Sequence, residues 1–461
     1  MPSVSSGRIV KARRTKNLTP HNKNHRWESF SSKISKLHSL DPLRRVRRHD
    51  LDAEDLSATT SYLRNGLDKW SELNVTRSFT AFRREAIPLT ESLAQILHFE
   101  TRIMDLLAQY LELQEAESLE PLLDLLTAFA HDLGVRFEKH YPRAVGLIVA
   151  IASKPRSVEV IEWTFAALAF LFKYLARLIV PDLRPTYDAV APLLGKERNP
   201  GHIARFAAEA MSFLVKKAAA PGNKDKALPL LIEHARKDLE GMEGTRQFEL
   251  YSQGVMTMFA EAIKSTSFTV HSTGPDTFIA LVKAIPDEEL VPGKQTIWTD
   301  VCCGVLTSVI HHSTLENFPA LEQAIIDATA AAVDDSKAGE FPGRVLVFTR
   351  LLGVTTGVRR ATRVNDWPTL IKTLSRALEA IARSPDSITD AHIPLLWHHV
   401  MVSAAMVWSL APMDALIPAI SQFMGALTRE PLMRCYIPFC SYFAHLKPDR
   451  FRSLFQKHFE R

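Results

Sequence analysis

The chain has 461 residues, of which 46% are apolar and 23% charged; these globular proportions exclude a wholly disordered, collagen-like or low-complexity protein. Four cysteines in that length cannot build a disulfide framework, so a reducing compartment is expected, and the polar, basic opening residues lack the apolar core of a secretory signal. The net charge of +5 hides an asymmetry: residues 1–48 carry 13 Lys or Arg against Glu28 and Asp41, a local charge of +11, while the remainder sums to −6.

Residues 1–50 therefore read as a basic, largely extended or disordered arm, and 51–461 as a folded body. Such an arm seeks polyanions, nucleic acid first and an acidic protein surface second. Its clusters, Lys11, Arg13, Arg14 and Lys16, then Arg44, Arg45, Arg47 and Arg48, are dense enough to bind phosphate in a salt-dependent way. The same clusters suit a nuclear import signal, and the two roles are compatible. Between them Trp27, Phe30, Ile34 and Leu37 form an apolar stripe at roughly helical spacing. A disordered tail has no need of it, so the stripe implies docking, on the body or on a partner.

In the body, sustained period-2 alternation is scarce and apolar residues recur at three and four. After Ser118, the positions Leu119, Leu122, Leu123, Leu126, Phe129, Ala130 and Leu133 form one stripe that ends at Gly134. The run Trp163–Phe172, followed by Tyr174, Leu175, Leu178 and Ile179, is apolar nearly all round, as an inner helix of a stack must be. After Pro200, the stripe is Ile203, Phe206, Ala207, Ala210, Phe213 and Leu214. Pro121, Pro142, Pro181, Pro200, Pro221, Pro286, Pro385 and Pro431 are expected at segment edges, where a first helical turn tolerates them. Helix pairs are predicted to begin near Leu119, Ser157, His202 and Gly244. Those intervals match two-helix repeats of about 40 to 47 residues, so the fold class is all-α, a HEAT/armadillo-like helical-repeat solenoid with a basic N-terminal arm. Residues 391–413 carry no formal charge but include Pro394, His398, His399 and Pro412, and read as a buried solenoid helix rather than a membrane span.

The chemistry is quiet. No Gly-rich phosphate loop, Cys-x-x-Cys, His-Glu-x-x-His or calcium loop is present. Cys302 and Cys303 point to different sides of one helix, with His311 and His312 two or more turns on, and Cys435 and Cys440 miss helix-face spacing; all four read as packing thiols. His398 and His399 lack an orienting acid. Asp334 with Asp335 and Glu288 with Glu289 read as solvated inter-helix turns. In the body, Arg83 with Arg84, Lys216 with Lys217, and Arg359 with Arg360 and Arg363 read as solvated faces. No catalytic constellation, metal site or cofactor is expected, and no small-molecule substrate.

The runs Gly66–Val75, Leu119–Leu133 and Val160–Leu175, with Ile203–Lys217 and the arm phrase His25–Phe30, resemble the amino-terminal region of the U3 small nucleolar RNA-associated protein 20, or down-regulated-in-metastasis, family. The resemblance is specific from about residue 25 to 220 and generic beyond. It implies a piece of a much longer nucleolar HEAT-repeat chain, a scaffold of the small-subunit processome without an active site. It further implies other processome proteins and precursor ribosomal RNA or U3 small nucleolar RNA as partners, and nuclear and nucleolar localisation. No functional residue carries over individually. The competing class is a HEAT-repeat nuclear transport adaptor, which the mildly acidic body permits; an enzyme lacks the converging groups it needs.

Overall fold

The computed structural model describes residues 61–197, 199–220, 222, 226–242, 245, 247–264, 274–285, 297–314, 316–357 and 366–459, together with Lys33, Ile34 and Leu37. Among the described residues there are helices and no β-strand. They divide into two compact units, Met1–Glu261 and Ala262–Arg461. The fold is an all-α helical-repeat solenoid.

The first unit comprises α1 (Tyr62–Leu73), α2 (Arg77–Ala86), α3 (Glu100–Leu113), α4 (Ala116–Leu133), α5 (Tyr141–Ala152), α6 (Val158–Tyr174), α7 (Arg184–Val190), α8 (Gly201–Ala218), α9 (Ala227–Glu240) and α10 (Phe248–Ile263). One layer runs α1, α4, α6, α8, each packed on the next; the other runs α2, α3, α5, α7, α9. Successive hairpins α3/α4, α5/α6 and α7/α8 join them. The hairpins start at Glu100, Tyr141 and Arg184, steps of 41 and 43 residues. The expected starts near Leu119, Ser157 and His202 thus mark the second helix of each hairpin. Of the first helices only α7 is short, with seven residues running into a 3₁₀ turn at Ala191–Leu194.

The stripes explain the packing. Every predicted stripe residue of α4 from Leu119 to Leu133 is buried, and α4 is clasped by α1, α3 and α6. At about 25 cal/mol per Å², each such Leu or Phe contributes roughly 1.5–3 kcal/mol on burial. In α8 the stripe is buried except Phe213, which is half-buried with the Lys217 ammonium 5.7 Å from its ring centroid. α6 buries ten apolar residues, but Trp163, Ala166 and Phe170 stay partly or fully open along one side.

One proline differs from expectation. Pro121 lies inside α4 rather than at its edge, because the helix begins five residues earlier at Ala116. The missing amide donor is replaced from outside: Asn74 Nδ2 donates to the Glu117 carbonyl at 2.8 Å. At the other end of α1, Asp132 at the end of α4 accepts from Ser61 Oγ (2.7 Å), Tyr62 N (2.9 Å) and Leu63 N (2.8 Å). α1 therefore runs antiparallel to α4, held by caps at both ends. By contrast α6 is parallel to α4, Tyr174 Oη reaching the His131 carbonyl at 2.9 Å.

The second unit comprises α11 (Gly274–Lys283), α12 (Ile297–His312), α13 (Phe318–Asp335), α14 (Gly343–Gly357), α15 (Trp367–Ala382), α16 (Val402–Leu410), α17 (Ile420–Leu427), α18 (Tyr436–Leu446) and α19 (Pro448–Phe459). Helices α12, α14, α16 and α18 form one layer and α11, α13, α15, α17 and α19 the other. Asp334 and Asp335 end α13 instead of lying in a loop, and Arg376 of the next repeat pairs with Asp334. The segment Asp390–Leu410 is the one described helix long and apolar enough to cross a membrane, and more than half of it is buried in its unit. It contains a π-helical turn, Leu396–Met401, ahead of α16.

Candidate interaction groove

Of the arm residues singled out above, Lys11, Arg13, Arg14, Lys16, Trp27, Phe30, Arg44, Arg45, Arg47 and Arg48 lie outside the described residues, as do Arg359, Arg360, Arg363, Glu288 and Glu289. Ile34 and Leu37 are described, and both sit on α6. Ile34 is 7% exposed. Lys33 forms an ion pair with Glu162, in the second turn of α6. Lys173, near its other end, donates to the Ile34 carbonyl at 2.8 Å and to the Leu37 carbonyl. The Leu37 amide bonds the Ile34 carbonyl at 3.2 Å, so Lys173 caps the end of a helical turn. Burial, then the neighbouring Lys217 charge, lowers the Lys173 pKa.

Beside this contact lies a groove with a cavity volume of about 590 Å³. Its walls are Leu37 of the arm, Lys69, Trp70 and Leu73 of α1, Leu123, Asp124 and Thr127 of α4, and Trp163, Ala166 and Phe170 of α6, with Glu120 at the α4 rim. Trp70 Nε1 donates to Asp124 Oδ2 at 2.6 Å, and Lys69 Nζ lies 3.7 Å from the same oxygen and 4.8 Å from the Trp70 ring. Burial, then the nearby Asp124 charge, raises the Glu120 pKa, with Lys69 opposing. The groove is apolar on its floor, with two carboxylates and one ammonium on its α1/α4 side.

A ring series adjoins the groove: Tyr62 lies 3.7 Å from His131, His131 5.3 Å from Tyr174, and Tyr174 5.3 Å from Phe170, centroid to centroid. Burial lowers the His131 pKa, which keeps that ring neutral among aromatics.

The reactive-looking residues are apart from the groove. Cys302, Cys303 and Cys435 are buried and Cys440 half-buried; burial pushes the Cys303 thiol up to about 11. No group of three His, Cys, Asp or Glu side chains able to hold a metal occurs among the described residues. His399 is fully buried with no hydrogen-bond partner on either ring nitrogen, and burial, then the Arg350 and His398 charges, takes its pKa down to about 3. An imidazole held neutral without an acid beside it is a packing residue here. Lys216 is half-buried and Lys217 exposed on α8. The sequence reading missed Lys69, Trp70, Glu120 and Asp124, whose convergence spans two helices. It also missed Glu162 and Lys173, the charges that flank the apolar run Trp163–Phe172.

No protein-family model matches the chain. It is 32% identical over 353 residues to the U3 small nucleolar RNA-associated protein 20 of Schizosaccharomyces pombe, a match covering 76% of this chain and 13% of that protein. The protein of the same name from Saccharomyces cerevisiae is 33% identical over 302 residues, covering 64% of this chain and 11% of that protein. The chain thus spans about an eighth of the length of the curated relatives it matches. Identity of 32% and 33% over 76% and 64% of its length shows a chain like U3 small nucleolar RNA-associated protein 20.

Proposed function

We propose that the chain is a non-catalytic scaffold of the small-subunit processome, the 90S pre-ribosome, acting in the nucleolus in support of precursor ribosomal RNA processing. The observation that carries this reading is the match to two relatives whose names state association with U3 small nucleolar RNA. The body supports it physically. Its polar side chains are spent on neighbouring repeats: Lys196 reaches Asp238 at 2.9 Å, Gln422 reaches Glu379 at 3.0 Å, and Arg350 reaches Asp300 at 2.7 Å. Such a stack offers extended lateral surface, on which several weak contacts to neighbouring proteins add through effective concentration.

The arm supplies the second contact. With +11 in its first 48 residues, it binds RNA largely by releasing counterions, so affinity falls steeply with salt. The partners are other processome proteins and precursor ribosomal RNA or U3 small nucleolar RNA, and the protein needs no cofactor. Deleting residues 1–48 is expected to weaken RNA binding and flatten its salt slope; equal slopes for the intact and truncated chains would remove the arm's RNA role. Crosslinking inside purified precursor particles is expected to recover precursor RNA and pre-ribosomal proteins. Recovery of a transport-system GTPase as the main partner would overturn the scaffold in favour of a transport adaptor.

A further inference from the structure

We propose that the groove of α1, α4 and α6 is the docking site of the chain's own arm, taking Trp27 and Phe30 of the segment that leads into Ile34 against its wall of Trp163, Ala166 and Phe170. Four observations carry this. The C-terminal end of that segment is already seated, Ile34 buried, Lys33 paired with Glu162 and the carbonyls of Ile34 and Leu37 capped by Lys173. Leu37 itself lines the groove. Trp27 and Phe30 precede Ile34 by seven and four residues, so a helix continued backwards puts them on the face that Ile34 presents to α6. The charges match as well: Lys23 and Arg26 stand beside Trp27 in the sequence, and the groove's carboxylates, Glu120 and Asp124, outnumber Lys69.

The consequence is geometric. A partner helix is shut out of this groove, and the two basic clusters flank the docked segment in the sequence. Lys11–Lys16 lies upstream of it. Arg44–Arg48 lies between Leu37 and Ser61, both of them fastened to the first unit.

Two measurements on the full chain test this. With a benzophenone amino acid in place of Phe30, irradiation is expected to join position 30 to peptides 69–73, 120–127 or 163–170 of the same molecule. Crosslinks only to a second copy or to other segments would overturn the proposal. In limited trypsin digestion, cleavage after Arg26 and Lys33 is expected to be slow in the native chain and about tenfold faster in Ala166→Glu or Lys173→Ala, at unchanged melting temperature, since cleavage tracks the open population. Equal cleavage rates in the native chain and both variants would also overturn it. Neither readout depends on RNA, so a failure here is distinct from a failure of the scaffold reading.

Discussion

Asn74 supplies the hydrogen bond that Pro121 denies to its own helix. Pro121 has no amide proton for the Glu117 carbonyl four residues back, and Asn74 Nδ2, at the C-terminal cap of α1, donates to that oxygen at 2.8 Å. The proline is thereby tolerated in the second turn of α4, and α1 is fixed in register against it. Asn74→Ala leaves a carbonyl orphaned and is expected to cost about 1–2 kcal/mol. In a Pro121→Ala background the restored amide serves Glu117, so the same change is expected to cost less. Hydrogen exchange of peptides covering α4 in the four variants reads the coupling; additive effects would show that the two residues are independent.

This pair also shows what a one-dimensional reading can reach. The α4 stripe was legible because seven apolar positions at helical spacing allow only one buried face. The place of Pro121 was not, because the donor that licenses it is 47 residues away. α7 hides for another reason: seven residues ending in a 3₁₀ turn carry too few periods to register. At the groove, the arm stripe could be read from Trp27, Phe30, Ile34 and Leu37, but its receptor joins Trp70, Asp124 and Trp163 from three repeats. The apolar excess of α6 was real, and part of it faces that groove rather than the inter-repeat core.

Gly254 in α10 is fixed by close approach. A Cβ there would collide with the backbone oxygen of Leu194, in the turn that follows α7. A carbonyl held in a turn cannot rotate away as a side chain can, so Gly254→Ala is expected to destabilise the first unit by roughly 1–3 kcal/mol. Gly146, with nothing within 4 Å of its added Cβ, is the control. Gly146→Ala is expected to be neutral or to stabilise α5 by a few tenths up to about 1 kcal/mol. Thermal unfolding of the two variants that gave equal shifts would dismiss the steric account.

Arg205 joins α8 to α10 by donating to Glu209 at 2.9 Å and to Glu261. The three side chains are only 12%, 4% and 16% exposed, so the carboxylates are compensated inside the stack rather than by water. Arg205→Met removes the shared cation and is expected to cost about 3–5 kcal/mol, most of it the penalty for buried charge left behind. Arg205→Lys keeps the charge but cannot fork between two carboxylates, and is expected to fall between. Denaturant midpoints order the three; a methionine variant as stable as the native chain would mean that the pair is solvated.

His399 makes the stability of the second unit sensitive to acid. Its ring is fully buried in the π-helical turn, with neither nitrogen hydrogen-bonded, and the Arg350 and His398 charges add to burial in lowering its pKa to about 3. An unfolded histidine titrates near 6.5. Between these values the unfolded chain takes up a proton that the folded chain refuses, so stability is complete above about pH 6.5 and declines as the pH falls toward 3. At pH 5 the loss is roughly 2 kcal/mol. His399→Leu removes both the proton-binding group and the two orphaned nitrogens. It is expected to match or exceed the native stability at pH 7.5, and to lose less between pH 7.5 and 5, read by hydrogen exchange of peptides 393–410. His398, whose pKa burial also lowers, is exposed, and His398→Leu is expected to leave the acid limb nearly unchanged. If the His399→Leu chain declined in parallel with the native one, another group would be taking up the proton, and the buried imidazole would have no part in the acid response.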